Sequence, residues 1–130
     1  MQFAEYGTPD VLRIVDVSPL TAGPGQVRLA VRAAGVNPID WKILHGCMRQ
    51  VMPVDLPGGL GSDVAGVVDQ VGQGVTAFSI GDEVLGASLT SSCARSALAD
   101  PAALVAKPSS VPASSRSWPS MPWAPGSRCT

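Results

Sequence analysis

Histidine and cysteine are scarce in this sequence of 130 residues, which has one histidine, His45, and three widely spaced cysteines without a C-x-x-C pair. A site with several histidine ligands is therefore excluded, and a structural zinc lobe is not expected. A Ser-His-Asp triad would have to use His45, but the sequence has no G-x-S-x-G elbow to accompany it. We expect His45 to be an ordinary polar residue near a helix end.

The sequence also lacks an excess of basic charge and long apolar runs. Nine Lys and Arg against ten Asp and Glu give a net charge of -1, so we expect no nucleic-acid partner. The longest apolar runs have the length of a strand, which predicts no membrane span. The first residues do not resemble a secretory signal, and we expect a cytoplasmic protein. The composition, 45 % hydrophobic and 15 % charged, is typical of a folded domain.

Acidic residues are absent from the last 22 positions, which contain seven serines and four prolines. Pro119, Pro122 and Pro125 exclude a regular helix there. With GC-rich codons, the DNA for residues 113–130 can be read in another frame as an amphipathic helical sequence. We therefore expect a domain over residues 1–113 and a tail over 114–130 that is non-native or disordered and follows a frame change.

Short strand-forming segments separated by turn residues make up most of the remaining sequence. Residues 11–17 predict a strand, residues 27–33 alternate between apolar and polar as in a half-buried strand, and residues 63–71 predict a third. Weaker strand signals occur at 83–86, 93–98 and 104–106. Asn37-Pro38-Ile39-Asp40 predicts the start of a short helix with a capping box. This pattern predicts a mostly β domain of barrel type.

Three ordered blocks of the sequence resemble the zinc-free quinone oxidoreductases of the medium-chain dehydrogenase/reductase superfamily. They begin with Ala33-Ala34-Gly35-Val36-Asn37-Pro38-Ile39-Asp40, continue with Leu56-Pro57-Gly58-Gly59-Leu60-Gly61-Ser62-Asp63, and end with Gly81-Asp82-Glu83-Val84. The resemblance implies a GroES-like, partly open β-barrel with short helices that forms a catalytic domain. In the family, this domain precedes a Rossmann domain that binds NADPH.

The resemblance also implies chemistry without zinc. Asn37 and Ser62 stand where the zinc-dependent alcohol dehydrogenases have a Cys and a His ligand, and neither is a good zinc ligand. Ile39 stands where those enzymes carry the hydroxyl residue that relays protons. In the zinc-free branch the cofactor supplies the hydride, while the protein positions the reactants and excludes water.

The residues that the resemblance places beside the substrate and nicotinamide are Asn37, Asp40, Trp41, Leu60, Gly61 and Asp63. Several of them have a purely structural alternative. Asn37 binds a carbonyl or amide group or only caps the helix, and Asp40 serves the cleft or only the capping box. Trp41 either lines the site of an apolar or quinone-like ligand or fills the core. Asp63 either faces the cleft or is a carboxylate at a strand edge.

No strand, glycine turn and helix of the dinucleotide-binding kind occurs in the sequence. We therefore expect a truncated quinone or enone oxidoreductase that binds no NADPH by itself. Two alternatives stay open: a stand-alone domain that binds a small molecule or catalyses a non-redox step such as cyclisation, and a non-catalytic dimerisation module. Without a Rossmann partner, the face around Trp41 and Leu60 should be exposed, which favours self-association.

Overall fold

A five-stranded antiparallel sheet is the largest element of the protein in the computed structural model, which describes residues 1–110. From one edge to the other, its strands are β6 (Ser96–Ala99), β2 (Val27–Ala34), β4 (Asp63–Val71), β5 (Glu83–Ala87) and β7 (Leu104–Ala106). The alternating pattern of residues 27–33 gives alternating burial in the first half of β2, which confirms the predicted half-buried strand.

The sheet is strongly curled. Its two edge strands, β6 and β7, are joined by the short link from Ala99 to Leu104, which contains the 3-10 turn Pro101–Ala103. A flat sheet would separate its outer strands by about 19 Å, whereas five residues span at most roughly 17 Å even when extended. The two edges do not pair with each other. The described residues therefore form a partly open barrel, as the sequence predicts.

The apolar side chains of the sheet form the main core. They are predominantly β-branched, in agreement with the pleated surface that they cover. Its buried members are Val27, Leu29, Val64, Val68, Val84, Ala99 and Leu104.

A smaller unit covers one end of the molecule. β1 (Gln2–Phe3) pairs with β3 (Gly58–Gly59), and the short helix α1 (Pro38–Leu44) follows β2. Phe3, Leu44 and Leu60 form a second buried cluster there, which we call the end cluster. The helix starts where it is predicted, with Asn37 at its N-cap, and it ends with His45 at its C-cap and Gly46 beyond it at a φ of 78°.

Two predictions were wrong. The predicted strand at residues 11–17 is absent: a 3-10 turn, Pro9–Val11, replaces its start, and only Arg13 forms an isolated bridge, to Gln2. The strand-forming residue types are present, but a strand also needs a neighbour, and Ile14 is 94 % exposed. Leu60 is not exposed beside Trp41, because it packs in the end cluster and only 8 % of it is exposed.

The helices of the described residues include none that is long and apolar enough to cross a membrane. The predicted tail at 114–130, the frame change and the end of the domain at Ala113 all lie outside the described residues. They therefore remain predictions.

Candidate functional site

The register of the sheet brings the first two sequence blocks together. Ala34, at the end of β2, pairs with Val64, near the start of β4. Asn37 follows β2 by three residues and Asp63 begins β4, so their side chains meet. The Asn37 Nδ2 donates a hydrogen bond to Asp63 Oδ2 at 2.7 Å. Residues that are 26 positions apart thus form one polar pair at the end of the sheet.

Asp40 connects the helix to the loop before β4. Its Oδ2 accepts the Asn37 backbone N–H at 2.7 Å, which is one half of the predicted capping box, and its Oδ1 accepts the Gly61 N–H at 3.0 Å. The side chain is only 6 % exposed. Both carboxylate oxygens are therefore occupied by backbone donors, and the geometry favours the structural role for Asp40 over direct contact with a ligand.

Trp41 lies on the outer face of α1 and does not fill the core, because 45 % of it is exposed. Its ring meets the His45 ring edge-on at a centroid distance of 5.4 Å, and the Lys42 Nζ lies 5.9 Å from its centroid. The His45 Nδ1 is 2.9 Å from the Trp41 carbonyl oxygen. Since a carbonyl only accepts, Nδ1 carries the proton in this bond. The exposed part of the indole could serve as a wall for a flat apolar ligand.

Gly61 lies in a crowded place, where the loop before β4 meets residues 92 and 93. Its φ of +87° is a conformation that favours glycine, and a Cβ there would lie 2.9 Å from the Cys93 Sγ and closer still to the Ser92 Oγ. Ser92 is fully buried, and its Oγ has no hydrogen-bond partner among residues 1–110. The Ser92 N–H donates to the Gly61 carbonyl at 3.0 Å, which fixes the two segments side by side.

Cys93 is a neighbour of this site that the sequence did not single out. Burial is the main cause that raises the pKa of its thiol above the ordinary value, and the Asp40 carboxylate raises it further, while the N-terminal ammonium group acts in the opposite direction. The terminal amine donates to the Cys93 carbonyl at 3.0 Å. Only the pairing of residues 92 and 93 with 60 and 61 brings Cys93 here, and no local motif indicates it.

The six predicted site residues therefore divide into two groups. The side chains of Asn37, Trp41 and Asp63 are at least partly exposed. Asp40 and Leu60 are buried, and Gly61 contributes a backbone N–H to Asp40. The groups that a ligand could reach are those of Asn37, Trp41 and Asp63, and the placement of all six residues beside a ligand stays a prediction.

Residues 1–110 contain no unit of the usual dinucleotide-binding kind. The pyrophosphate of a dinucleotide needs free amides at a helix N-terminus after a parallel strand, but every sheet pairing among residues 1–110 is antiparallel, and the Asp40 carboxylate closes the start of α1. Zinc has no suitable donor set either, since no three His, Cys, Asp or Glu side chains are grouped to hold a metal within the described part of the chain. The Asn37 amide instead turns an N–H toward Asp63.

Comparison with known proteins agrees with this geometry. Residues 23–109 match the alcohol dehydrogenase GroES-like domain. The chain is 46 % identical over 85 residues to a quinone oxidoreductase of Pseudomonas aeruginosa, which covers 65 % of this chain and 25 % of that protein. It is 43 % identical over 81 residues to the quinone oxidoreductase of Rattus norvegicus, covering 62 % of this chain and 24 % of that protein. The chain thus spans about a quarter of the length of these curated relatives.

Solved structures show the same likeness. The quinone oxidoreductase of Pseudomonas syringae superposes with a TM-score of 0.78 at 36 % identity, over 85 % of this chain and 34 % of that one. The Escherichia coli quinone oxidoreductase complexed with NADPH gives 0.78 at 28 % identity, over 85 % of this chain and 33 % of that one. The resemblance recognised in the three sequence blocks is confirmed, as is the GroES-like fold.

Proposed function

This chain belongs to the alcohol dehydrogenase GroES-like domain family of the medium-chain dehydrogenase/reductase superfamily, and from that premise we propose that it is the catalytic domain of an NADPH-dependent quinone or enone oxidoreductase that works without zinc. The observation that carries the proposal is the Asn37–Asp63 pair beside the exposed indole of Trp41. The quinone oxidoreductases among its relatives support the substrate class.

Each exposed side chain has a part in the proposed binding of a quinone. One N–H of the Asn37 amide is fixed by Asp63, and the second can donate to a quinone carbonyl oxygen. The Trp41 indole offers an apolar face to the ring. In the proposed reaction, NADPH would supply the hydride. The residues of this domain would bind and orient the acceptor and exclude water from it.

Quinone binding by the chain itself tests the proposal. We expect calorimetry to detect binding of menadione, and Asn37→Ala to weaken it by roughly tenfold, the loss expected for one hydrogen bond of ~1.4 kcal/mol. Gln50→Ala is a matched control, since Gln50 is an exposed amide outside the site. Equal binding by the Asn37 variant, or no binding by the native chain, would contradict the proposal.

NADPH serves as the complementary ligand. Since residues 1–110 offer no site for its pyrophosphate, we propose that the chain alone leaves the fluorescence of NADPH unchanged. NADPH binding or turnover of a quinone by the chain alone would overturn this part. Binding of an apolar ligand other than quinones would favour the stand-alone binding domain or the non-redox enzyme.

Self-association is a further part of the proposal. Large apolar side chains stand exposed in several places, including Ile14, Val36, Val51 and Ile80, and such surface favours association. We propose a dimer that forms with increasing concentration, measurable by sedimentation velocity. A dimer that binds no ligand would favour the non-catalytic dimerisation module, whereas a stable monomer at all concentrations would remove this part.

A cytoplasmic location is also proposed. Quinone oxidoreductases of Pseudomonas aeruginosa and Escherichia coli are among the relatives, although a relative from Spinacia oleracea is described as chloroplastic. Fractionation of the source cells tests the location. Sequencing of the gene tests the frame change, which requires a long second reading frame after codon 113.

A further inference from the structure

Gly35 lies between β2 and α1, directly against Asp63. Its N–H donates to the Asp63 carbonyl oxygen at 3.0 Å. A Cβ added to Gly35 would lie 2.8 Å from the Asp63 Cβ and 3.0 Å from Oδ2, the same oxygen that accepts from Asn37. The first distance is closer than real Cβ atoms approach, so Asp63 could not keep its place beside any other residue.

The backbone conformation does not explain this glycine. Six other glycines of the described residues have a positive φ, but Gly35 is not among them. An alanine could therefore adopt its backbone angles without strain, and space is the only requirement that the structure shows. That space is occupied by the Asp63 side chain.

We propose that Gly35 is a positioning residue: because it has no side chain, the Asp63 carboxylate reaches Asn37 and sets the direction in which the Asn37 amide faces the ligand. A carboxylate only accepts hydrogen bonds, so the amide nitrogen must face Asp63 and the amide oxygen must face away. If Asp63 were displaced, the Asn37 Nδ2 would lose the acceptor that the structure shows for it, while the Asp40 N–H of the capping box would still hold the side-chain oxygen. The effect on a ligand rests on the proposed function, whereas the effect on the amide does not.

Nuclear magnetic resonance can observe this amide alone, because Asn37 is the only asparagine in the sequence. In the native chain labelled with ¹⁵N-asparagine, we expect two well-separated side-chain proton signals, one of which exchanges slowly. In Gly35→Ala, the difference in chemical shift between the two side-chain protons should shrink. Their exchange with solvent should accelerate by about tenfold, as for loss of a hydrogen bond to a charged group. Gly23→Ala is the control, since its Cβ would meet only the flexible end of Gln26. An unchanged signal in Gly35→Ala overturns the proposal.

A second variant covers the case in which Gly35→Ala does not fold. Asp63→Gly removes the Cβ and the carboxylate that the added methyl group would strike. The double variant Gly35→Ala with Asp63→Gly should therefore recover folding, or be less destabilised than the two single changes added together. Additive destabilisation, or failure to fold, would show that the Gly35–Asp63 contact is not the reason for the glycine.

Quinone binding separates this inference from the proposed function. Loss of the amide signature together with about tenfold weaker menadione binding supports the positioning role. Loss of the signature with unchanged binding overturns that role. If the native chain binds no quinone, the proposed function fails, and the control of the amide by Gly35 is then judged from the resonance signals alone.

Discussion

The two apolar clusters of the protein are assembled in different ways. The sheet core takes its members from paired strands, where backbone pairing fixes the position of each buried residue, on both sides for the inner strands, as for Leu29 on β2 between β4 and β6. The end cluster joins Phe3, Leu44 and Leu60 from a two-residue strand, a seven-residue helix and a loop. Little regular secondary structure fixes these three residues, so their position depends mainly on their packing against each other.

The candidate site lies between these clusters and depends on both. Asp63 belongs to the sheet, whereas Gly61 and Asp40 belong to the segments that meet at the end cluster. The sheet therefore sets where the Asn37–Asp63 pair lies, and the end cluster sets how the loop before β4 closes beneath it. Damage to the first should unfold the domain, while damage to the second should loosen mainly the site.

The largest effect is expected for truncation in the sheet core. Leu29→Ala truncates a fully buried side chain of the main core, and it should lower the free energy of unfolding by about 4 kcal/mol. Urea denaturation followed by circular dichroism measures the loss. A loss below ~1 kcal/mol would mean that this core is not the stabilising part of the fold.

The same change in the end cluster should cost less and act locally. Leu60→Ala truncates a side chain of the end cluster that is 8 % exposed. We expect it to lower the free energy of unfolding by about 2 kcal/mol. In hydrogen exchange, the Cys93 N–H, which donates to the Leu60 carbonyl at 3.1 Å, should lose protection. The amide of Val68 in β4 should keep its protection in this variant. Equal acceleration at both amides would abolish the distinction between the clusters.

Asp40 tests the connection between the two regions. Asp40→Asn replaces one oxygen by an N–H group, so the two backbone donors of Asn37 and Gly61 cannot both be satisfied. We expect a loss of roughly 1–3 kcal/mol in the free energy of unfolding. Asp69→Asn, in the partly exposed pair with Arg28, is the control and should cost less than about 1 kcal/mol. Similar losses in both variants would deny Asp40 its connecting role.

The smallest expected effect concerns the thiol of Cys93. Alkylation by iodoacetamide requires the thiolate, so the raised pKa should keep the reaction at about pH 8 slower than that of an ordinary exposed thiol. Asp40→Asn removes one negative charge that raises this pKa. The rate should therefore increase in this variant. Mass spectrometry of the peptide that contains Cys93 gives the rate, and a slower reaction would contradict the assignment.

Much of the sheet could be predicted because its signals are local. The alternation of residues 27–33 and the run from Asp63 to Val71 specify strands from neighbouring residues alone, and both strands are present. Asn37 and Asp40 likewise predict the helix start from a spacing of three. Residues 11–17 show where this reasoning fails, because the apolar pattern is there but no neighbouring strand in the described residues pairs with it beyond Arg13.

The candidate site was predictable only in part for the same physical reason. The family resemblance indicated which segments to consider, but it could not tell that Leu60 packs in the end cluster or that both carboxylate oxygens of Asp40 accept backbone N–H groups. The contact of Gly35 with Asp63 and the approach of Cys93 to Gly61 connect residues 28 and 32 positions apart. No local pattern carries such information.

The sequence by itself determined the class of fold, the turns, the helix start and the family, because each depends on the order of neighbouring residues or on blocks that keep their spacing. The tertiary structure alone decided which site residues face outward, why position 35 is a glycine, and which thiol lies next to Asp40. Those outcomes follow from the strand register and from packing between distant segments. A shift of one residue in the register of a strand would exchange its buried and exposed side chains.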